Sequence, residues 1–198
     1  MTVLGKVKKK VHLFSSANAS SDLYVSGNIG DSAYGFLLNN KKEFEKIRSR
    51  LDTKSINYLV NKFYLPKPKL DLGKSILDYA DSCTDISDGL ITDLKKILFN
   101  SKLGANIFIN KIPISDPVKK IYKLYQNKTK FWEILLNWGE DYELIFSMSL
   151  KKKKIYEKKF SKFKNFTKIG SLKDGKTITL LKKNNKKLIL NTNGFSHF

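Results

Sequence analysis

The chain predicts an α+β fold, a mixed sheet packed with helices, and three observations lead there. Helix-period and strand-period segments interleave without a regular strand–helix–strand repeat. The tail changes character: short alternating runs are divided by the turn pairs Asp174-Gly175 and Asn184-Asn185. Finally, 198 residues with 41% hydrophobic and 12% aromatic side chains suffice for one domain with a real core.

Taken in order, Thr2–Gly5 reads as the end of a strand, followed by a lysine-rich turn and a polar loop. A strand at Leu23–Ser26 enters a helix from Asp31 to Asn40 through the glycine turn Gly27-Asn28-Ile29-Gly30. Helical stretches follow at Lys42–Arg50 and Lys54–Phe63. Leu65-Pro66-Lys67-Pro68 stops the second, because proline cannot continue a helix and holds the residue before it extended. A helix at Leu72–Ala80 leads to a loop at Asp85. Leu90, Ile91, Leu94, Ile97 and Leu98 then mark one apolar helical face, with Ser87 and Asp88 expected as its capping start. Beyond it come a strand at Ala105–Ile109, helices at Pro117–Tyr125 and Phe131–Trp138, and a strand at Tyr142–Leu150. A lysine-rich helix near Lys152–Phe163 and strands at Phe166–Leu172, Thr177–Lys182 and Lys187–Leu190 complete the reading. No internal repeat is visible.

The net charge of +20 raises nucleic-acid binding as a candidate. Arg48 and Arg50, however, are the only arginines, whereas bidentate phosphate and base recognition favours arginine's planar fork. The lysines are scattered over helix faces and turns, as at Lys41-Lys42, Lys119-Lys120 and Lys186-Lys187. Nucleic acid is therefore not the expected partner, although the positive field favours the approach of anionic nucleotides. No apolar run approaches the length of a membrane span, and Met1–Lys10 lacks a signal-peptide core. The single cysteine, Cys83, excludes an intrachain disulfide and fits a reducing, cytoplasmic setting. With no base beside it in sequence, it reads as a packing residue. His12, in the lysine-rich turn, is expected to be exposed.

Chemistry concentrates in three acidic motifs. Thr84-Asp85-Ile86-Ser87-Asp88-Gly89-Leu90 sets two carboxylates around a hydroxyl at the mouth of a helix. That is a hard-oxygen set suited to Mg²⁺ and to the phosphates Mg²⁺ carries. The residues alone leave a plain helix cap open as the alternative. Trp138-Gly139-Glu140-Asp141-Tyr142-Glu143-Leu144 lies where a helix gives way to a strand, with Asp141 and Glu143 read as flanking Glu140. In Gly27-Asn28-Ile29-Gly30-Asp31-Ser32-Ala33-Tyr34-Gly35, Asp31 and Ser32 are expected to cap their helix, Gly27 and Gly30 permitting the tight turn.

In this order, and followed by Gly194-Phe195-Ser196-His197-Phe198, the motifs resemble those of the thiamine-monophosphate kinase family. Its usual forms are GDSAAG, DISDGL, GGEDYEL and a C-terminal G-(Tyr/Trp)-DHF, and it is similar in turn to the aminoimidazole-ribonucleotide-synthetase superfamily. The resemblance implies a C-terminal α+β domain of that fold at residues 15–198. Residues 1–14 would be the remnant last strand of an N-terminal ATP-binding domain, whose own acidic and Gly-Gly-Asp motifs have no counterpart here. It implies transfer of the ATP γ-phosphoryl group to thiamine monophosphate, giving thiamine diphosphate, with Mg²⁺ neutralising charge. It further implies that Asp85 and Asp88 ligate Mg²⁺, that Ser87 contacts ATP phosphate, and that Glu140 and Phe195 contact the substrate. A homodimer built through the N-terminal domain is implied as well. The chain departs from the family at Trp138, where a glycine is usual, at Ser196, where Asp is usual, and at Ser15, where members place an ATP-contacting arginine. A non-catalytic C-terminal domain, or a module binding a ligand or partner, stays open as the alternative.

Overall fold

The computed structural model describes residues 5–6, 10–160 and 166–191. Six strands form one sheet: β1 (Asp22–Ser26), β2 (Ser82–Asp85), β3 (Leu103–Phe108), β4 (Leu144–Met148), β5 (Phe166–Asp174) and β6 (Ile178–Leu181). Their order is β2-β4-β1-β5-β3-β6. Neighbours are antiparallel except for the parallel pair β3–β6, so the sheet is mixed, as the sequence predicts.

Strand side chains alternate between faces, and in β1 both faces are apolar. Leu23 and Val25 join the larger core, together with Ile107, Ile145 and Ile169 from neighbouring strands. That core is covered by α1 (Asp31–Asn40), α3 (Thr53–Tyr64), α5 (Leu90–Ser101), α6 (Asp116–Leu124) and α7 (Lys128–Asn137). Tyr24 points the other way, stacking with Phe146 at 5.5 Å beneath α4 (Leu70–Ile76) and α8 (Leu150–Lys159). Helices thus lie on both faces.

Side-chain caps start α3, α6, α7 and α8. Asp52 caps α3 by accepting from the Ser55 backbone N–H at 2.8 Å. Where α1 crosses α3 the backbones touch: a Cβ at Gly35 would stand 2.1 Å from the Leu59 carbonyl oxygen. No helix among the described residues is long and apolar enough to cross a membrane.

Several expectations are corrected. The stretch expected as one helix at 42–50 divides into a 3-10 turn, Lys42–Phe44, and a short α2 (Glu45–Arg48). The helix expected at 72–80 begins earlier and stops at Ile76, and Asp85, expected in a loop, is the last residue of the edge strand β2. β2 is short, pairs with β4 alone and carries no alternating large side chains, so its sequence has no strand signature. Residues 187–190 form no strand: one bridge, Leu181 to Lys187, closes the turn at Asn185, whose φ is 58°. Ser87 and Asp88 do not cap α5, which begins after Gly89 and has no side-chain cap. His12 is half-buried, both ring nitrogens lack a hydrogen-bond partner, and burial lowers its pKa. The strand expected at Thr2–Gly5 lies outside the described residues except for Gly5, which belongs to no regular element.

The α1–α3 contact yields a direct prediction. Gly35→Ala forces the helices apart and should lower stability by about 1–3 kcal/mol, read from the urea midpoint. An unchanged midpoint would contradict the close approach.

Candidate functional site

Two motifs distant in sequence form one backbone unit. β2 and β4 pair in register Asp85 to Leu144, and the chains stay together beyond that pair. Ile86 N–H donates to the Glu143 carbonyl at 2.8 Å, Tyr142 N–H to the Ile86 carbonyl at 2.9 Å, and Glu140 N–H to the Ser87 carbonyl at 3.0 Å. The approach needs a bare backbone: a Cβ at Gly139 would stand 1.8 Å from the Ser87 carbonyl oxygen. Glu140 and Tyr142 sit at φ of 69° and 50°, in the left-handed region that side-chain-bearing residues rarely adopt. Such strain persists only where surrounding bonds over-determine the backbone, as they do here.

A buried carboxylate shapes the other side of the turn. Asp93 is fully buried on α5, and its Oδ2 accepts from the backbone N–H groups of Ser87 and Asp88, both at 2.9 Å. Lys96 bridges Asp93 and Asp88 at 2.6 Å to each. Asp93 was not singled out from the sequence. Its signal was an acid on the same helical face as Leu90, Ile97 and the other apolar positions, where burial demands partners.

The third motif is tied in by another carboxylate. α1 starts after Gly30, at φ 85°, without a cap of its own. The expected caps do other things: Asp31 accepts from the Tyr58 hydroxyl at 2.8 Å and from the Ser115 hydroxyl, while Ser32 Oγ is buried and unpartnered. Asp141 supplies the cap instead, accepting from Gly30 N–H at 2.8 Å and Ser32 N–H at 3.3 Å. Although the residue is only partly buried, its carboxyl group is enclosed; that burial, reinforced by the charges of Asp31 and Glu143 and opposed by the two N–H donors, pushes its pKa up to about 8. Burial raises the pKa of Asp31 too, against the pull of its two hydroxyl donors. Glu143 is buried, accepts from Ser26 Oγ and pairs with Lys69 at 3.0 Å. Asp141 and Glu143 are thus structural members of the site and do more than flank Glu140.

The joined loops open on a cleft of about 770 Å³. Ser87, Asp88 and Glu140 line it, facing an apolar wall that includes Phe36, Phe63 and Trp138. Asp85 is exposed at the end of β2 and does not line that cleft. It remains near enough to act on the same hydroxyl: burial raises the Tyr142 pKa, and Glu140, Asp85 and Asp88 add to the rise. Tyr142 also donates to Glu140 Oε2 at 3.1 Å. Phe195 lies outside the described residues. Cys83 is partly buried beside the smaller core, and burial pushes its thiol up to about 12, which fits a packing role.

Among the described residues, no three or more His, Cys, Asp or Glu side chains converge as a metal site. Asp85 and Asp88 nonetheless offer what Mg²⁺ takes from a protein when phosphates complete its shell, one or two carboxylates. Asp88 is already matched to a cation, the Lys96 ammonium, so its position suits positive charge.

The model of the family described as AIR synthase related protein, C-terminal domain, matches residues 21–183. The chain belongs to that family. This AIR-synthase-related chain is 40% identical over 202 residues to the thiamine-monophosphate kinase of Buchnera aphidicola subsp. Acyrthosiphon pisum, covering all of this chain and 59% of that protein. The structure of AaThiL complexed with AMPPCP and TMP matches with a TM-score of 0.73 at 26% identity, over 96% of this chain and 55% of that one. Escherichia coli HypE shares the fold, with a TM-score of 0.72 at 18% identity over 97% of this chain and 56% of that one. The chain spans about three-fifths of the length of the curated relatives it matches.

Two predictions follow from the buried carboxylates. Asp93→Ala strands two backbone N–H groups and one partner of Lys96, and should cost on the order of 2–4 kcal/mol by urea unfolding. For Asp141, whose folded pKa exceeds its unfolded value, the folded state binds more protons between about pH 4 and pH 8. Its contribution to stability is therefore present below about pH 4 and lost as pH rises through 8. Thermal melts of Asp141→Asn, which keeps a carbonyl acceptor for Gly30 without the charge, should show a flatter dependence over that window. Identical slopes in both proteins would exclude this role.

Proposed function

We propose that this chain is the acceptor-side domain of a thiamine-monophosphate kinase, which moves the γ-phosphoryl group of ATP onto the phosphate of thiamine monophosphate. The observation that carries the reading is the backbone pairing of residues 86–87 with 140–143, which sets Ser87, Asp88 and Glu140 on one cleft. The end-to-end likeness to the Buchnera kinase supports it, as does the likeness to a structure holding AMPPCP and TMP.

On this reading each residue has a distinct task. Asp85 and Asp88 would hold Mg²⁺, which, when bound, neutralises charge on the transferring phosphoryl group. Ser87, fixed by Asp93 at the backbone, offers its hydroxyl to phosphate. Glu140 faces the substrate as an anion, suited to the cationic thiazolium or to the aminopyrimidine donors. Phe195 is assigned to the substrate ring. Asn191 is pinned at the cleft by Asn137 Nδ2 donating to its carbonyl at 2.7 Å and by its own N–H donating to Glu133 at 3.1 Å. Four residues further on, Phe195 has a reach of roughly 13 Å at about 3.3 Å per residue, enough to meet a ligand in the cleft. Residues 1–14 are assigned to the end of the preceding domain, and the homodimer implied by the resemblance to that unmatched domain. The cytoplasm is the compartment this reaction and the lone thiol fit.

The test is phosphoryl transfer from ATP to thiamine monophosphate by the purified chain, with Mg²⁺ present. Turnover that falls about a hundredfold or more in Asp88→Asn and in Asp85→Asn is expected. Turnover unchanged in either variant contradicts the assigned roles. A folded chain that binds thiamine phosphates and transfers nothing favours a non-catalytic ligand-binding module.

A further inference from the structure

The cleft's wall is aromatic in a way the motifs do not call for. Phe36 on α1 lies 5.1 Å, centroid to centroid, from both Trp138 and Phe63, tilted by 37° and 58°. All three rings are only partly buried, and all three line the cleft. Trp138 stands at the C-cap of α7, its N–H bonded to the Ile134 carbonyl at 3.0 Å, so its backbone is fixed where the helix ends. The family resemblance puts a glycine at this position; here the side chain is the largest available.

The cleft's charge is the second observation. The chain as a whole carries +20, yet the carboxylates of Glu43, Asp88, Glu133 and Glu140 line this cleft against the ammonium groups of Lys41 and Lys130; with Asp88 matched by Lys96, the acids still outnumber the cations by one. Lys130 is itself drawn toward Glu133, at 3.9 Å. An acid-rich recess in a strongly basic protein selects for a positively charged occupant. Aromatic faces attract cations through their quadrupoles, and stack on flat rings. A volume of about 770 Å³ suits a small ligand.

We propose that Trp138, Phe36 and Phe63 form a recognition wall for a flat, positively charged heteroaromatic ring, with Trp138 as the specificity-determining residue. The proposal deepens the kinase reading and rests on it for the ring's identity, the thiazolium of thiamine. Trp138 touches the ring and takes no part in phosphoryl transfer.

With two tryptophans in the chain, Trp132→Phe leaves Trp138 as the sole indole emitter. Titrating that variant with thiamine, thiamine monophosphate and inorganic phosphate reads the wall directly. Saturable quenching by both thiamine compounds, and none by phosphate, is the expected result. Thiamine should bind about tenfold more weakly to Trp138→Leu, and close to normally to Trp138→Phe. Should Trp138→Leu fail to fold, Phe63→Leu on α3 serves the same comparison. Absence of quenching, or wild-type thiamine affinity in Trp138→Leu (or in Phe63→Leu where it stands in), overturns the proposal. Quenching without phosphoryl transfer upholds the wall while the kinase reading fails. Transfer with an unchanged KM for thiamine monophosphate in those variants upholds the kinase and overturns the wall.

Discussion

Everything around the cleft depends on a strand pair that outruns its strands. β2 and β4 end at Asp85 and Leu144, but three further backbone hydrogen bonds carry the pairing through Ile86 and Ser87 on one side and Glu140 to Glu143 on the other. Because they are main-chain bonds, they fix the positions of Ser87, Asp88 and Glu140 whatever their side chains do. Gly139 is the steric condition for this: its missing Cβ is what lets the two loops touch. The left-handed backbone at Glu140 and Tyr142 is the conformational cost of the same arrangement.

Around this pairing, buried carboxylates serve as internal clamps. Asp93 gathers the N–H groups of Ser87 and Asp88, and Asp141 gathers those of Gly30 and Ser32. A buried carboxylate is costly unless donors surround it. Asp93 meets that condition with two N–H groups and Lys96; Asp141 meets it less fully, and its pKa rises. Three motifs spread over more than a hundred residues thereby share one frame, in which Asp31 and Glu143 are also turned inward and Asp85, Asp88 and Glu140 are left accessible. A protein of net charge +20 keeps an acid-rich recess beside an aromatic wall, which is where a cationic ring would be held.

Much of this was legible before any coordinates. Helical periodicity located α1, α3 and α5 to α8, and apolar or alternating runs bounded by turns located five of the six strands. β2 escaped because its four residues, Ser82–Asp85, include no large apolar side chain to mark a strand. The residue types of the site were legible in the motifs, but their connections were not. Nothing local indicates that Asp141 caps a helix more than a hundred residues upstream, or that Asp31 turns inward to Tyr58 and Ser115. The cap assigned to Ser87 and Asp88 failed for a physical reason: Gly89, at φ 117°, separates them from the first helical turn, and Asp93 satisfies their N–H groups from within the helix.

Native-state amide exchange at Ile86, Glu140 and Tyr142 tests the central claim most directly. If the backbone pairing holds the site, these three amides exchange slowly and together, with protection close to that of the β2–β4 ladder. Amides of Glu140 and Tyr142 exchanging at free-loop rates while the ladder stays protected would contradict the account, since the two motifs would then be neighbours without being joined.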